Sequence, residues 1–145
     1  MASDMTPRLS RPAAGRGVAP SGDTIAKESS VTIERFEPGR RFAQAVAYGD
    51  TVYLAGHTAS DAEAGVYEQT REILALIDEH LAAAGTDKSK LLSASIWLVD
   101  IGTFDEMNRA WDEWVDMANL PARATVEARL AAPAYKVEIA VIAAR

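Results

Sequence analysis

The sequence predicts an α+β domain: a six-stranded mixed sheet carrying two helices on one of its faces. Three observations predict it. Short β-branched and aromatic runs punctuated by Pro-Gly and Gly-Asp occur first. Two stretches with a three- and four-residue apolar period follow, and a strand-like run lies between them. Two further strand-like segments close the 145-residue chain.

Residues 31–35 and 42–48 are short β-formers separated by Glu37-Pro38-Gly39, and Gly49-Asp50 leads into a third strand at 51–55. Val66, Thr70, Ile73, Leu74, Ile77 and Leu81 then share one helical face, and Gly85 is placed to end that helix as a left-handed stop. Residues 93–99 form a fourth strand. Thr103 and Glu106 have the spacing of a capping box for a second helix, with Phe104, Met107, Trp111, Trp114 and Ala118 as its buried stripe and Pro121 as its end. Residues 124–128 and 136–143 supply the last two strands. Two helices cover one sheet face only. The alternate residues of several apolar strands are left bare, and a patch of that extent is too large for a monomer to expose, so burial against further copies is expected.

Composition narrows the function. Hydrophobic residues are 48% and charged residues 25% of the chain, as in an ordinary globular domain. The absence of cysteine removes disulfides, thiolate metal sites and cysteine nucleophiles. The net charge of −6, from 15 basic and 21 acidic residues, does not suit a nucleic-acid partner. Neither histidine, His57 or His80, stands in a metal-ligand spacing, so no metal site is expected. No apolar run approaches the ~20 residues of a membrane span, and no secretory core is present. A cytoplasmic location is the expectation. Residues 1–30 are rich in Pro, Gly, Ser and Ala without an apolar period. They are read as a disordered tail preceding a domain at 31–145, with a start at Met5 or a transit peptide as the other readings.

The stretch Pro121-Ala122-Arg123-Ala124-Thr125-Val126-Glu127-Ala128-Arg129-Leu130, followed by Tyr135-Lys136-Val137-Glu138-Ile139, resembles the RidA family, also called YjgF/UK114. Members carry a PAR-x-x-VE block and then a K-I/V-E-I strand at this separation. Gly56, Gln69-Thr70-Arg71, Ala83-Ala84-Gly85, Trp97-Leu98-Val99-Asp100 and the Phe104, Met107, Asn108 set extend the match over roughly residues 40–143. The resemblance implies a chorismate-mutase-like fold assembled as a homotrimer around an inner barrel, with active sites between subunits. The activity it implies is cofactor-independent hydrolysis of enamines and imines of the 2-aminoacrylate type to 2-keto acids and ammonia.

On that resemblance Arg123 is the carboxylate clamp, since a guanidinium offers a planar bidentate fork and stays charged when partly buried. Glu138 is the acid/base group; between Val137 and Ile139 it points to the opposite face, and a cleft there would raise its pKa. Thr125 and Asn108 are candidate substrate contacts, Phe42 an apolar wall, and His57 a polar wall or proton relay. The sequence departs from the family where Phe42 replaces a common tyrosine, where Gly39-Arg40-Arg41-Phe42-Ala43-Gln44 replaces a G-P-Y-S-Q segment, and where Ala55-Gly56-His57 replaces Ser-Gly-Gln. Two other readings stand beside the deaminase: a non-catalytic trimer that binds small carboxylates, and, more weakly, an endoribonuclease or translation inhibitor.

Removal of residues 1–28 is expected to leave folding and assembly intact. Circular-dichroism melts and sedimentation equilibrium check this; a truncated protein that melts earlier or loses its assembly would show that the tail packs on the body.

Overall fold

A computed structural model describes residues 31–145, and the expected tail at 1–30 lies outside the described residues. The element order is β1 (Ile33–Pro38), β2 (Ala43–Tyr48), β3 (Thr51–Leu54), α1 (Val66–Ala83), β4 (Leu91–Leu98), α2 (Phe104–Trp114), β5 (Ala122–Glu127) and β6 (Val137–Ala144). The strands form one sheet in the order β1-β2-β3-β6-β4-β5. Only β4 and β5 run parallel, and the connection between them contains α2, as a parallel crossover requires. The expected α+β class, strand count and pair of helices are all present.

The core lies between the helices and one sheet face. Alternation along β6 buries Val137, Ile139, Val141 and Ala143. They pair with Leu98, Ile96, Ala94 and Leu91 of β4 at the same level. From above, α1 lowers Ile73, Leu74, Ile77 and Leu81 onto this surface, each at most 1% exposed. Burial of each such side chain contributes about 1.5–3 kcal/mol. The helix ends as its glycine foretells: Gly85 adopts φ 84°, its N–H donates to the Ala82 carbonyl, and the Thr86 N–H donates to the Leu81 carbonyl. This Schellman arrangement satisfies carbonyls that the helix end would otherwise orphan.

Gln69 ties the start of α1 to the approach of β6. It is fully buried, its Nε2 donates to the carbonyls of Asp61 and Ala134, and its Oε1 accepts from the Lys136 N–H. The Lys136 ammonium reaches the Ala64 carbonyl beside it. A buried amide with both ends satisfied orders two loops at once.

Local details differ from the sequence expectation. β1 runs through Glu37 and Pro38, and the turn moves to residues 39–42, closed by the Gly39 N–H donating to the Phe42 carbonyl. As an edge strand, β1 tolerates a proline without an N–H to share. The capping box at Thr103 and Glu106 does not form. Thr103 belongs to a 3₁₀ turn at Ile101–Thr103, and its hydroxyl donates to the Asp100 carbonyl instead. The α2 stripe is shorter than expected. Met107 and Trp111 are buried, Trp114 is half-buried, Phe104 is 37% exposed, and the helix stops before Ala118, where Val115 closes the core. Among the described residues no helix is long and apolar enough to cross a membrane.

Among the described residues nothing covers the second sheet face. Val46, Tyr48, Tyr53, Trp97, Val126 and Ile142 all project from it, with Tyr48 and Tyr53 about half exposed. If copies pack on this face, sedimentation equilibrium gives about three chains per particle. Ile142→Glu, placing a charge in its middle, is then expected to dissociate the particle while leaving the helix-side core folded. A stable wild-type monomer at micromolar concentration would refute the packing argument.

Candidate functional site

Strand alternation divides the candidate residues into separate groups. Arg123 and Thr125 on β5 sit opposite Ala94 and Ile96 of β4, so they face the helix side. Glu138 sits opposite Trp97 and so belongs to the open face. Arg123 and Glu138 therefore lie on opposite faces of one sheet and do not converge within a protomer.

The first group is built by β5 and α2. The half-buried Arg123 guanidinium carbon lies 5.2 Å from the Trp111 ring centroid and 5.8 Å from that of Phe104. Aromatic faces hold a cation in place without neutralising it. Burial pushes the guanidinium pKa below its ordinary value, and the Asp112 charge partly opposes that shift. Among the described residues no carboxylate lies within 4 Å of it. Asn108 stands four residues after Phe104 and three before Trp111, on the same face of α2. The Thr125 Oγ1 is buried without a hydrogen-bond partner among the described residues. A partly buried fork and an unpartnered hydroxyl two residues along β5 make this the candidate anion-binding group.

The second group occupies the open face at the end where β6 begins. Gly56 lies against Glu138: a Cβ there would come within 2.8 Å of the Glu138 Oε2, so only glycine permits this carboxylate position. The Gln44 carbonyl accepts from the Ala55 N–H, which sets the approach to β2 beside this corner. Phe42, 60% exposed, lines an open cleft of about 430 Å³ together with Gly39, Arg40, Arg41 and Gln44.

His57 joins neither group. Its backbone bridges Ile139, and its ring turns into the helix layer, stacked at 4.7 Å and 2° on His80 of α1. His80 in turn lies 3.8 Å from the Glu37 carboxylate. The apolar stripe of α2 gives Trp111 a packing role; its place beside Arg123 depends on how α2 crosses β5, which no local pattern encodes. The close approach of Gly56 to Glu138 was equally hidden, because the two are far apart in the chain.

The sheet order, the two helices and the glycine-backed corner define an α+β domain of the YjgF fold. Residues 32–145 match the family described as Endoribonuclease L-PSP. A RutC family protein of Haemophilus influenzae is 46% identical over 114 residues, 78% of this chain and 98% of its own. The crystal structure of a YjgF family member from Neisseria meningitidis superposes with a TM-score of 0.74 at 42% identity, covering 79% of this chain and 95% of that one. A goat protein named 2-iminobutanoate/2-iminopropanoate deaminase is 31% identical over 108 residues, 70% of this chain and 78% of its own. The chain belongs to the RidA/YjgF family.

The histidine stack makes stability depend on pH. Burial, with a smaller push from His80, lowers the His57 pKa to about 4, whereas in the unfolded chain it titrates near ~6.5. Between those values the unfolded chain binds a proton that the folded chain refuses. The His57 contribution is therefore whole above about pH 6.5 and drains as pH falls toward 4. Urea midpoints are expected to drop between pH 7.5 and 5, above the range where carboxylates titrate, and His57→Gln is expected to flatten that drop.

Proposed function

We propose that this chain hydrolyses small 2-imino and 2-enamino acids to 2-keto acids and ammonia, at sites formed between copies. The observation that carries this reading is Arg123, a half-buried guanidinium floored by Trp111 and Phe104 with no carboxylate within 4 Å among the described residues. Family membership and the name of the goat relative support the reaction class.

In this mechanism the Arg123 fork receives the substrate carboxylate, and Asn108 and Thr125 orient it through hydrogen bonds. Because Glu138 lies on the other sheet face, it reaches the imine from a neighbouring copy, whose Phe42 walls the cleft. Glu138 takes a proton from water as the oxygen adds to the imine carbon. Glu138 returns that proton to the nitrogen, giving a carbinolamine; the carbinolamine hydroxyl then passes its proton through Glu138 to the amine, ammonia leaves, and the carbonyl of the keto acid forms. No cofactor enters these steps. The net charge of −6 counts against the ribonuclease reading.

Arg123→Ala is expected to lower kcat/KM for 2-iminobutanoate by roughly 30- to 1,000-fold, about 2–4 kcal/mol, with Arg123→Lys recovering only part. Glu138→Gln is expected to lower kcat by roughly 10²–10⁴-fold while 2-oxobutanoate still binds. Co-refolding the two variants tests the shared site. Random assembly restores about a quarter of the sites if Arg123 and Glu138 come from different copies, and none if they come from one. Wild-type activity in both variants would refute these residue roles; no hydrolysis above the uncatalysed rate by the intact protein, with 2-oxobutanoate still bound, would leave a carboxylate-binding protein as the reading.

A further inference from the structure

We infer that the turn between β1 and β2 selects substrates bearing a second carboxylate, so that the preferred substrates are imines of short dicarboxylic amino acids. The inference rests on the shared-site reading above and adds to it the substrate class. Arg40 and Arg41 are consecutive, both exposed, and both line the open cleft with Phe42 and Gln44. Among the described residues neither lies within 4 Å of a carboxylate; the ion pairs are His80 with Glu37 and Arg145 with Glu34. On a chain of net charge −6, two adjacent guanidiniums without partners are a local reversal of sign.

Their placement is constrained. The Gly39 N–H donates to the Phe42 carbonyl at 2.8 Å, which closes the turn around both arginines. The adjoining Gln44 carbonyl holds the Ala55 N–H at 2.9 Å, one residue before the glycine that backs Glu138. The pair therefore stands at the Glu138 end of the sheet, while Arg123 belongs to the opposite face. In a shared site the substrate meets Arg123 of one copy at its 2-imino carboxylate and the Arg40-Arg41 turn of the next copy at its far end. Two cations are too few for a nucleic-acid track, which needs a stripe of phosphate contacts, but they match one distal carboxylate. The reaction is unchanged: water adds to the imine carbon, ammonia leaves, and the second carboxylate takes no part in bond-making.

Titration calorimetry with 2-oxobutanoate and 2-oxoglutarate, the keto acids of a monocarboxylic and a dicarboxylic imine, reads this directly. The intact protein is expected to bind 2-oxoglutarate about tenfold more tightly, the effect of one added charge-assisted contact at an open site. The Arg40→Ala/Arg41→Ala double variant is expected to bring the ratio of the two dissociation constants close to one, and added salt to narrow it in the intact protein. Arg123→Ala is expected to weaken both ligands. Equal affinities in the intact protein, or a preference that survives the double variant, would overturn the dicarboxylate inference. In that case, binding of 2-oxobutanoate that depends on Arg123 keeps the imine-hydrolase reading. If neither keto acid binds and neither imine is hydrolysed, both fail.

Discussion

A sheet with two apolar faces and helices enough for one is the constraint on which the rest of this molecule depends. Strand alternation sends Val137, Ile139 and Val141 toward α1 and leaves Glu138, Ala140 and Ile142 on the other side. The covered side gains a close-packed core from α1 and α2. The uncovered side keeps Tyr53, Trp97 and Val126 without cover among the described residues. The proposed site follows the same division, because Arg123 lies on the helix side and Glu138 on the open side.

Each half is prepared by a different kind of chemistry. Around Arg123 the preparation is aromatic. Trp111 and Phe104 stand beside the partly buried guanidinium without cancelling its charge, so the cation remains available to an anion. Around Glu138 the preparation is steric. Gly56 gives up its Cβ so that the carboxylate can lie against the backbone between β3 and α1. Neither arrangement resembles a stabilising ion pair, in which cation and carboxylate would satisfy each other and leave nothing for a ligand.

Two polar features serve the scaffold. Gln69 spends all of its hydrogen-bonding capacity but one lone pair on the loops that flank α1 and β6, and so positions the strand that carries Glu138. The His57–His80 stack joins the corner after β3 to α1, and the burial that holds His57 unprotonated brings sensitivity to acid. Family likeness marks the glutamine as a motif, and the fold explains its presence: a buried amide at this point replaces the hydrogen bonds that two irregular segments would otherwise lack.

Periodicity in the sequence determined most of the architecture. The helical spacing from Val66 to Leu81, the stop at Gly85 and the alternating run at residues 136–143 each reflect contacts between near neighbours, and each appeared where expected, whereas the strand expected at 124–128 begins two residues earlier and takes in Ala122 and Arg123. Boundaries moved by one or more residues wherever a turn or edge could trade hydrogen bonds, as at Pro38 and Thr103. Tertiary structure alone decided which candidates share a site. The pairing of β5 beside β4 and of β6 on its other side sets Arg123 and Glu138 on opposite faces, folds His57 under α1, and lays Trp111 beneath Arg123. Such relations depend on strand register and helix crossing between segments distant in the chain. A one-dimensional pattern records which face each residue takes within its own element, and not which elements will meet.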